Sequence, residues 1–251
     1  LGAGLGSAGA AAAALAQTRR AGGSEKLLVP NPRHPEPAPV GYDRLPLEWY
    51  KAAAARLKQK AAARGVDAVL LGNDHNLVYF TGCFRHSGER STWALFPLAE
   101  KDAAYWYSPG IDRDLIQSWW CTENEYYFCY PHAEGGFPNR GQLARGKRVD
   151  LWEWLLLGLK KRGLGEKTIG VDGELPASRA ATLKAVLPRA RVVDVSDLCL
   201  GLRVIKTKEE IALLQRAYRY FDKVHAFARD YILERGTDAT DFEIGQALSV
   251  F

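Results

Sequence analysis

The stretch "TGCFRHSGERSTW", residues 81–93, gathers the residue types best suited to hold an anion: Arg85, His86 and Arg90. A guanidinium grips a carboxylate through two parallel hydrogen bonds, and an imidazole beside it can share the charge. The same stretch also reads as a solvated charged loop, with Glu89 neutralising Arg90. The remaining reactive side chains are scattered. Asp74, His75 and Asn76 have the composition of a turn whose side chains bond their own backbone, with no third metal ligand near them in sequence. "PHAEGGFPNR", residues 131–140, reads as a Gly/Pro loop able to line the same anion-binding site through His132 and Arg140. Cys83, Cys121, Cys129 and Cys199 form no C-x-x-C pair, which excludes the common zinc and redox spacings. Buried free thiols fit them, with a Cys121–Cys129 bridge the alternative for an exported chain.

The elements that must position these groups follow from periodicity. "LPLEWYKAAAARLKQKAAARG" puts Leu47, Tyr50, Ala54 and Leu57 on one helical face, and Gly65 ends it. "VDAVLLG", "NLVYFTG", "STWALFP", "AAYWYS", "EYYFCY", "TIGVDG" and "ARVVDVS" read as short strands. A helix is expected in "GIDRDLIQSWW" and another in "RVDLWEWLLLGLKKRG", with Asp150 near its start and Lys160, Lys161 and Arg162 at its end, as the macrodipole favours. "SRAATLKAVLP" is a further helix, starting at Ser178. Helices alternate with strands, and hairpin-like neighbours also occur. The fold class is therefore α/β, a mixed sheet with flanking helices.

The most strongly patterned helix comes late. Thr207 and Glu210 form a capping box, and Ile211, Leu214, Tyr218, Phe221, His225, Ala228 and Ile232 recur at three- and four-residue steps. His225 on that face is expected to be a satisfied core histidine. Gly236 stops the helix, and a second capping box, Thr240 with Glu243, opens another that carries Ile244, Leu248 and Phe251. Asp238, Asp241 and Glu243 read as helix-start residues rather than ligands. One apolar face of this kind cannot bury itself.

Three stretches in order, "GVDAVLLGNDHNLVYFTG", "IGVDGELP" and "LRVIKTKEEIALLQRA", resemble the N-terminal domain of the creatinase/prolidase/aminopeptidase P family of pita-bread metallohydrolases. The resemblance covers residues 47–251. It implies a creatinase-type N-terminal domain over 45–205 and, over 206–251, the first helices of a truncated catalytic domain. The implied activity is that of a dinuclear-metal hydrolase, Xaa-Pro aminopeptidase/dipeptidase-like or creatinase-like, acting on a small peptide or amide and working as a homodimer. Two divalent metals (Mn, Co or Zn) would activate a bridging water, held by two Asp, one His and two Glu that begin beyond Phe251. No catalytic or metal residue is therefore assigned here, and the chain alone is expected not to hydrolyse anything. Creatine-acting members place an arginine after the "Y-x-x-G" segment against the substrate carboxylate, and Arg90 falls at that position, with Arg85 and His86 beside it. The loop departs from that pattern at Ser87 and Glu89. Other relatives have lost their metal ligands and act as peptide- or protein-binding modules, which is the rival reading.

Composition bounds the remainder. The chain has 251 residues, 47% hydrophobic and 25% charged, as in a soluble globular protein. Its net charge of +5 is spread without a dense basic stripe, which argues against a nucleic-acid partner. Met is absent, so Leu1 is not an initiator, and a fragment is expected. Residues 1–16 are small and weakly apolar, and Ala14-Leu15-Ala16 fits an export cleavage site. They are too short and Gly/Ala-rich for a stable membrane span. A twin-arginine-type route to the periplasm is expected, with a disordered tail on a cytoplasmic chain as the alternative. "GLGSAG" in this stretch matches G-x-G-x-x-G but has no preceding strand, so a dinucleotide site is rejected. Residues 17–44 form a Pro-rich linker.

Overall fold

The computed structural model describes residues 44–84, 90–128, 137–139 and 150–249. The chain divides into two compact units; one is Tyr42–Thr207, and the second includes Lys208–Phe251.

The first unit is built on a seven-stranded mixed sheet. Its strands are β1 (Ala68–Leu71), β2 (Trp93–Pro97), β3 (Tyr105–Pro109), β4 (Glu123–Phe128), β5 (Phe137–Asn139), β6 (Thr168–Val171) and β7 (Arg191–Asp194). The order across the sheet is β5-β4-β3-β2-β1-β6-β7. β1, β6 and β7 run parallel, as do β3 and β4, while β2 is antiparallel to both of its neighbours. β5 lies at the edge of the sheet, antiparallel to β4, and carries Pro138, which has no N–H to donate to a ladder and is a residue of edge strands. This edge strand falls within the stretch read from sequence as a loop.

The helices of this unit are α1 (Leu47–Ala62), α2 (Asp74–Thr81), α3 (Arg113–Gln117), α4 (Leu151–Lys161), α5 (Ala177–Val186) and α6 (Ser196–Val204). On one face of the sheet, Ala68, Leu70, Trp93, Leu95, Tyr107 and Tyr127 join Trp152, Trp154, Leu155, Leu156 and Leu159 of α4 in one buried cluster. Asp150 caps α4 by accepting from the Glu153 N–H at 2.8 Å. A Cβ at Gly158 would come within 2.5 Å of the Tyr107 ring, so only glycine lets this helix settle so close to the sheet.

The opposite sheet face alternates with the first, presenting Val69, Leu71, Ala94, Phe96 and Trp106, all buried. α1 contributes buried Tyr50, Ala53, Ala54, Leu57 and Ala61. Lys58 on the same helix lies 5.9 Å from the Phe96 ring and donates to the carbonyls of Glu100 and Lys101. Those bonds hold the β2–β3 turn to α1.

Two further elements differ from the sequence expectation. "NLVYFTG" is helix, not strand. Asn73 caps α2 by accepting from the N–H groups of His75 and Asn76, and Gly82 at φ +71° closes it. Both ends favour helix, and they override the strand preference of the Val78-Tyr79-Phe80 run. The expected helix after Pro109 is a 3-10 turn, Gly110–Asp112, followed by the five-residue α3. Trp119 and Trp120 leave that helix so that their indole N–H groups can donate to Thr81 and Asp102 carbonyls, each at 2.8 Å.

In the second unit, α7 (Lys208–Arg235) ends at Gly236, whose φ is +63°. A 3-10 turn, Gly236–Asp238, leads to α8 (Asp241–Ser249). The second capping box forms as read: Glu243 N–H donates to the Thr240 hydroxyl, and Thr240 N–H donates to the Glu243 carboxylate, both at 3.2 Å. Ile211, Leu214, Tyr218, Phe221 and Ile232 are all exposed. His225 is exposed too, edge-on to Phe221 at 6.1 Å, rather than the core histidine expected. The spacing placed it on the face with Ile211, Leu214, Tyr218, Phe221 and Ile232, and these side chains stay exposed among the described residues. No helix among the described residues is long and apolar enough to cross a membrane.

Candidate functional site

Of the three residues singled out for anion binding, Arg90 alone lies within the described residues; Arg85 and His86 lie outside them, as do His132, Arg140 and Cys129. Arg90 sits half-buried in a bend just ahead of β2. The site is therefore built from the described residues at the two ends of the stretch.

At the leading end, α2 delivers Thr81 and Gly82. The Thr81 carbonyl accepts from Trp119 Nε1 at 2.8 Å, and the Gly82 carbonyl accepts from an Arg44 Nη at 3.0 Å. Arg44 lies 3.3 Å from the centroid of the Trp119 ring, a close cation–π contact that joins the two donors. Tyr50 packs directly under Gly82, and its hydroxyl accepts from the Leu45 N–H at 3.2 Å. At the returning end, the Tyr127 hydroxyl donates to the Ser91 carbonyl at 2.8 Å. Its ring is fully buried and edge-on to Trp154, with centroids 5.6 Å apart.

The other end of α2 is held by Asp172, which follows β6. Its carboxylate accepts from the N–H groups of Gly72 and Asn73 at 2.8 and 3.0 Å and from Asn76 Nδ2 at 3.0 Å. Asn76 in turn accepts from Arg203 of α6 at 3.0 Å, and the Tyr79 hydroxyl donates to the Leu202 carbonyl at 2.8 Å. The carboxyl ends of parallel strands are where α/β sheets commonly take anions. Here Asp172 supplies that anion from within the chain. Replacing Asp172 by Ala leaves the buried Asn76 amide without its acceptor, while water reaches the exposed Gly72 and Asn73 N–H groups. The expected cost is about 1–3 kcal/mol, read as a shift of the urea midpoint.

Sequence reasoning missed Asp172, Arg44, Trp119 and Tyr127. Asp172 lies in "IGVDGELP", a stretch that carries the resemblance, but its bonding role is not legible there, and Arg44, Trp119 and Tyr127 carry no motif; each acquires its part only through the register of the sheet and the position of α2. Asp74 and His75 lie in the first turn of α2. Among the described residues, no group of three or more His, Cys, Asp or Glu side chains is placed to hold a metal ion, so no chemical step through a metal is derived for this chain. Cys83 and Cys199 are buried, and Cys121 is half-buried. Burial pushes the Cys121 thiol up to about 11, with Glu123 adding to the shift.

The arrangement is thus a mixed α/β domain that holds a basic segment at both of its described ends. Residues 54–205 match the Creatinase/Prolidase N-terminal domain, and the chain belongs to that family. Creatinase from Bacillus sp. (strain B-0618) is 24% identical over 176 residues, covering 66% of this chain and 36% of the relative. Among solved structures, the prolidase from Pyrococcus horikoshii OT3 aligns with a TM-score of 0.51 at 18% identity, over 78% of this chain and 47% of that one. The Xaa-Pro dipeptidase from Bacillus anthracis aligns with a TM-score of 0.51 at 19% identity, over 79% of this chain and 47% of that one. At such identities the structural likeness is one of fold. The chain spans about a third to a half of the length of these relatives.

Proposed function

We propose that this chain is the N-terminal portion of a dinuclear-metal hydrolase that cleaves a peptide bond before proline, or a related amide or C–N bond. The family match over residues 54–205, together with fold similarity to a prolidase and an Xaa-Pro dipeptidase, supports the reading. The chemistry of water activation belongs to metals held by residues outside the described set. The part of this chain is binding and orientation. Arg90 offers a guanidinium to the substrate carboxylate, aided by Arg85 and His86, and the domain contributes to a homodimer. Export through residues 1–16 to the periplasm is part of the same proposal and rests on sequence alone.

The test uses the chain together with its downstream residues, loaded with manganese and assayed on Xaa-Pro peptides. Metal-dependent turnover supports the hydrolase; none on any amide substrate rejects it and favours a metal-free binding module. Arg90→Ala should raise KM for substrates with a free carboxylate by roughly ten-fold or more while kcat changes little, because a charge-assisted pair is lost that ground and transition states share. An unchanged KM removes Arg90 from the site.

A further inference from the structure

We infer that Tyr127 is a positioning residue for Arg90, holding the backbone beside it so that the guanidinium meets a ligand carboxylate from a fixed origin. The inference deepens the proposed role of Arg90 and rests on it.

The observation is a single bond with an unusual path. Tyr127 belongs to β4 and Ser91 precedes β2, so the 2.8 Å bond reaches across β3. The donor end cannot drift. The Tyr127 ring is fully buried within the α4-facing cluster and lies edge-on to Trp154. The acceptor is the carbonyl of the residue that follows Arg90, so the bond holds the Ser91–Thr92 peptide plane, one residue beyond Arg90, and restricts the course of the chain leading back to it.

The leading end is fastened by different means. Trp119 holds the Thr81 carbonyl and Arg44 holds the Gly82 carbonyl. Neither of these bonds belongs to a sheet ladder or a helix; both are side-chain bonds to a chain leaving regular structure. A side chain on a backbone fastened in this way forfeits less freedom on binding than one on a free-swinging segment, and the saving appears as affinity. Arg90 is the described guanidinium at the fastened end.

Tyr127→Phe is the appropriate probe because it removes the hydroxyl and leaves the ring packing in place. Two measurements are made on the chain with its downstream residues. The first is backbone nitrogen-15 relaxation: the order parameters of Arg90 and Ser91 should fall in the variant, with those of the strands unchanged. The second is KM for a carboxylate-bearing substrate against its amidated analogue. Tyr127→Phe should raise KM about three- to ten-fold for the free carboxylate alone. Added to Arg90→Ala it should have no further effect, since a positioning residue acts only through the group it positions. Unchanged order parameters at Arg90 and Ser91 overturn the inference. So does an equal effect on both substrates, or one that adds to Arg90→Ala, which would mark a purely structural role. If Arg90→Ala itself leaves KM unchanged, the substrate reading fails and the inference falls with it. If Arg90→Ala acts and Tyr127→Phe does not, the inference alone fails.

Discussion

Gly82→Ala is expected to destabilise the Tyr42–Thr207 unit by about 2–5 kcal/mol, among the largest effects of any single methyl added to this chain. Two independent causes meet at this position. Gly82 adopts φ +71°, where a Cβ crowds its own carbonyl at a cost of about 1–2 kcal/mol. The same Cβ would stand 2.5 Å from a carbon of the Tyr50 ring. That ring has little room to yield: it is 4% exposed, edge-on to Trp49 with centroids 5.2 Å apart and to Trp119 at 6.4 Å. Overpacking of this kind costs about 1–3 kcal/mol. Urea unfolding measures the sum, and the causes separate in a cycle. Tyr50→Ala in the Gly82→Ala background relieves the clash but not the backbone term, so the two substitutions should couple favourably by about 1–3 kcal/mol. A loss below about 1 kcal/mol in Gly82→Ala would show that neither cause operates.

The position of Gly82 also shows why the sequence revealed the fold better than the site. α4 was legible because its apolar stripe is long, Asp150 caps it and basic residues close it. α2 was not. Its eight residues span barely two turns, and its central Val78-Tyr79-Phe80 has strand composition. The deciding residues lie just outside the run, Asn73 before it and Gly82 after it, and a glycine following an apolar segment closes a strand as readily as a helix. A short run of this kind is settled by its caps.

The candidate site was legible only in its charged residues. Arg90 was singled out through the family resemblance, and a guanidinium suits the carboxylate that the resemblance implies. Tyr127, Trp119 and Arg44 were not, since tyrosine and tryptophan in a half-buried sheet are ordinary packing residues. Their part emerges only when the β2-β3-β4 order brings Tyr127 to Ser91 and when the turn after α3 brings Trp119 to Thr81. Asp172 was hidden for the same reason: Gly72 and Asp172 are 100 residues apart, and only the parallel pairing of β1 with β6 makes them neighbours. Sequence thus shows which groups have reactive chemistry, and tertiary register decides which ordinary groups hold them.

Register also creates an alkaline limit to stability. Burial pushes the Tyr107 hydroxyl up to about 12, partly opposed by the Arg162 guanidinium, whose Nε donates to it at 3.0 Å. Burial, aided by the negative charge of Asp172, pushes the Cys199 thiol up to about 12 as well. Both side chains are fully buried. In each case the folded chain keeps a proton that the unfolded chain releases at its ordinary value, near 9.0 for the thiol and 10.0 for the phenol. The unfolded state therefore binds fewer protons through this window, and stability falls as pH rises. The contribution is whole below about pH 9 and is lost by about pH 12, with a steepest slope near 2.7 kcal/mol per pH unit while both groups are out of balance. Half-buried Cys121, raised to about 11, adds in the same sense. Lys58 acts in the opposite sense, because burial holds its ammonium below the ordinary lysine value. The balance should be a loss on the order of a few kcal/mol between about pH 8 and pH 11.5 in urea unfolding. Cys199→Ala should flatten the curve from about pH 9 upward, and Tyr107→Phe only from about pH 10. Equal stability at the two pH values, or a Tyr107 that ionises with the exposed tyrosines in the tyrosinate absorbance titration, would mean that these groups are open to water in the folded protein.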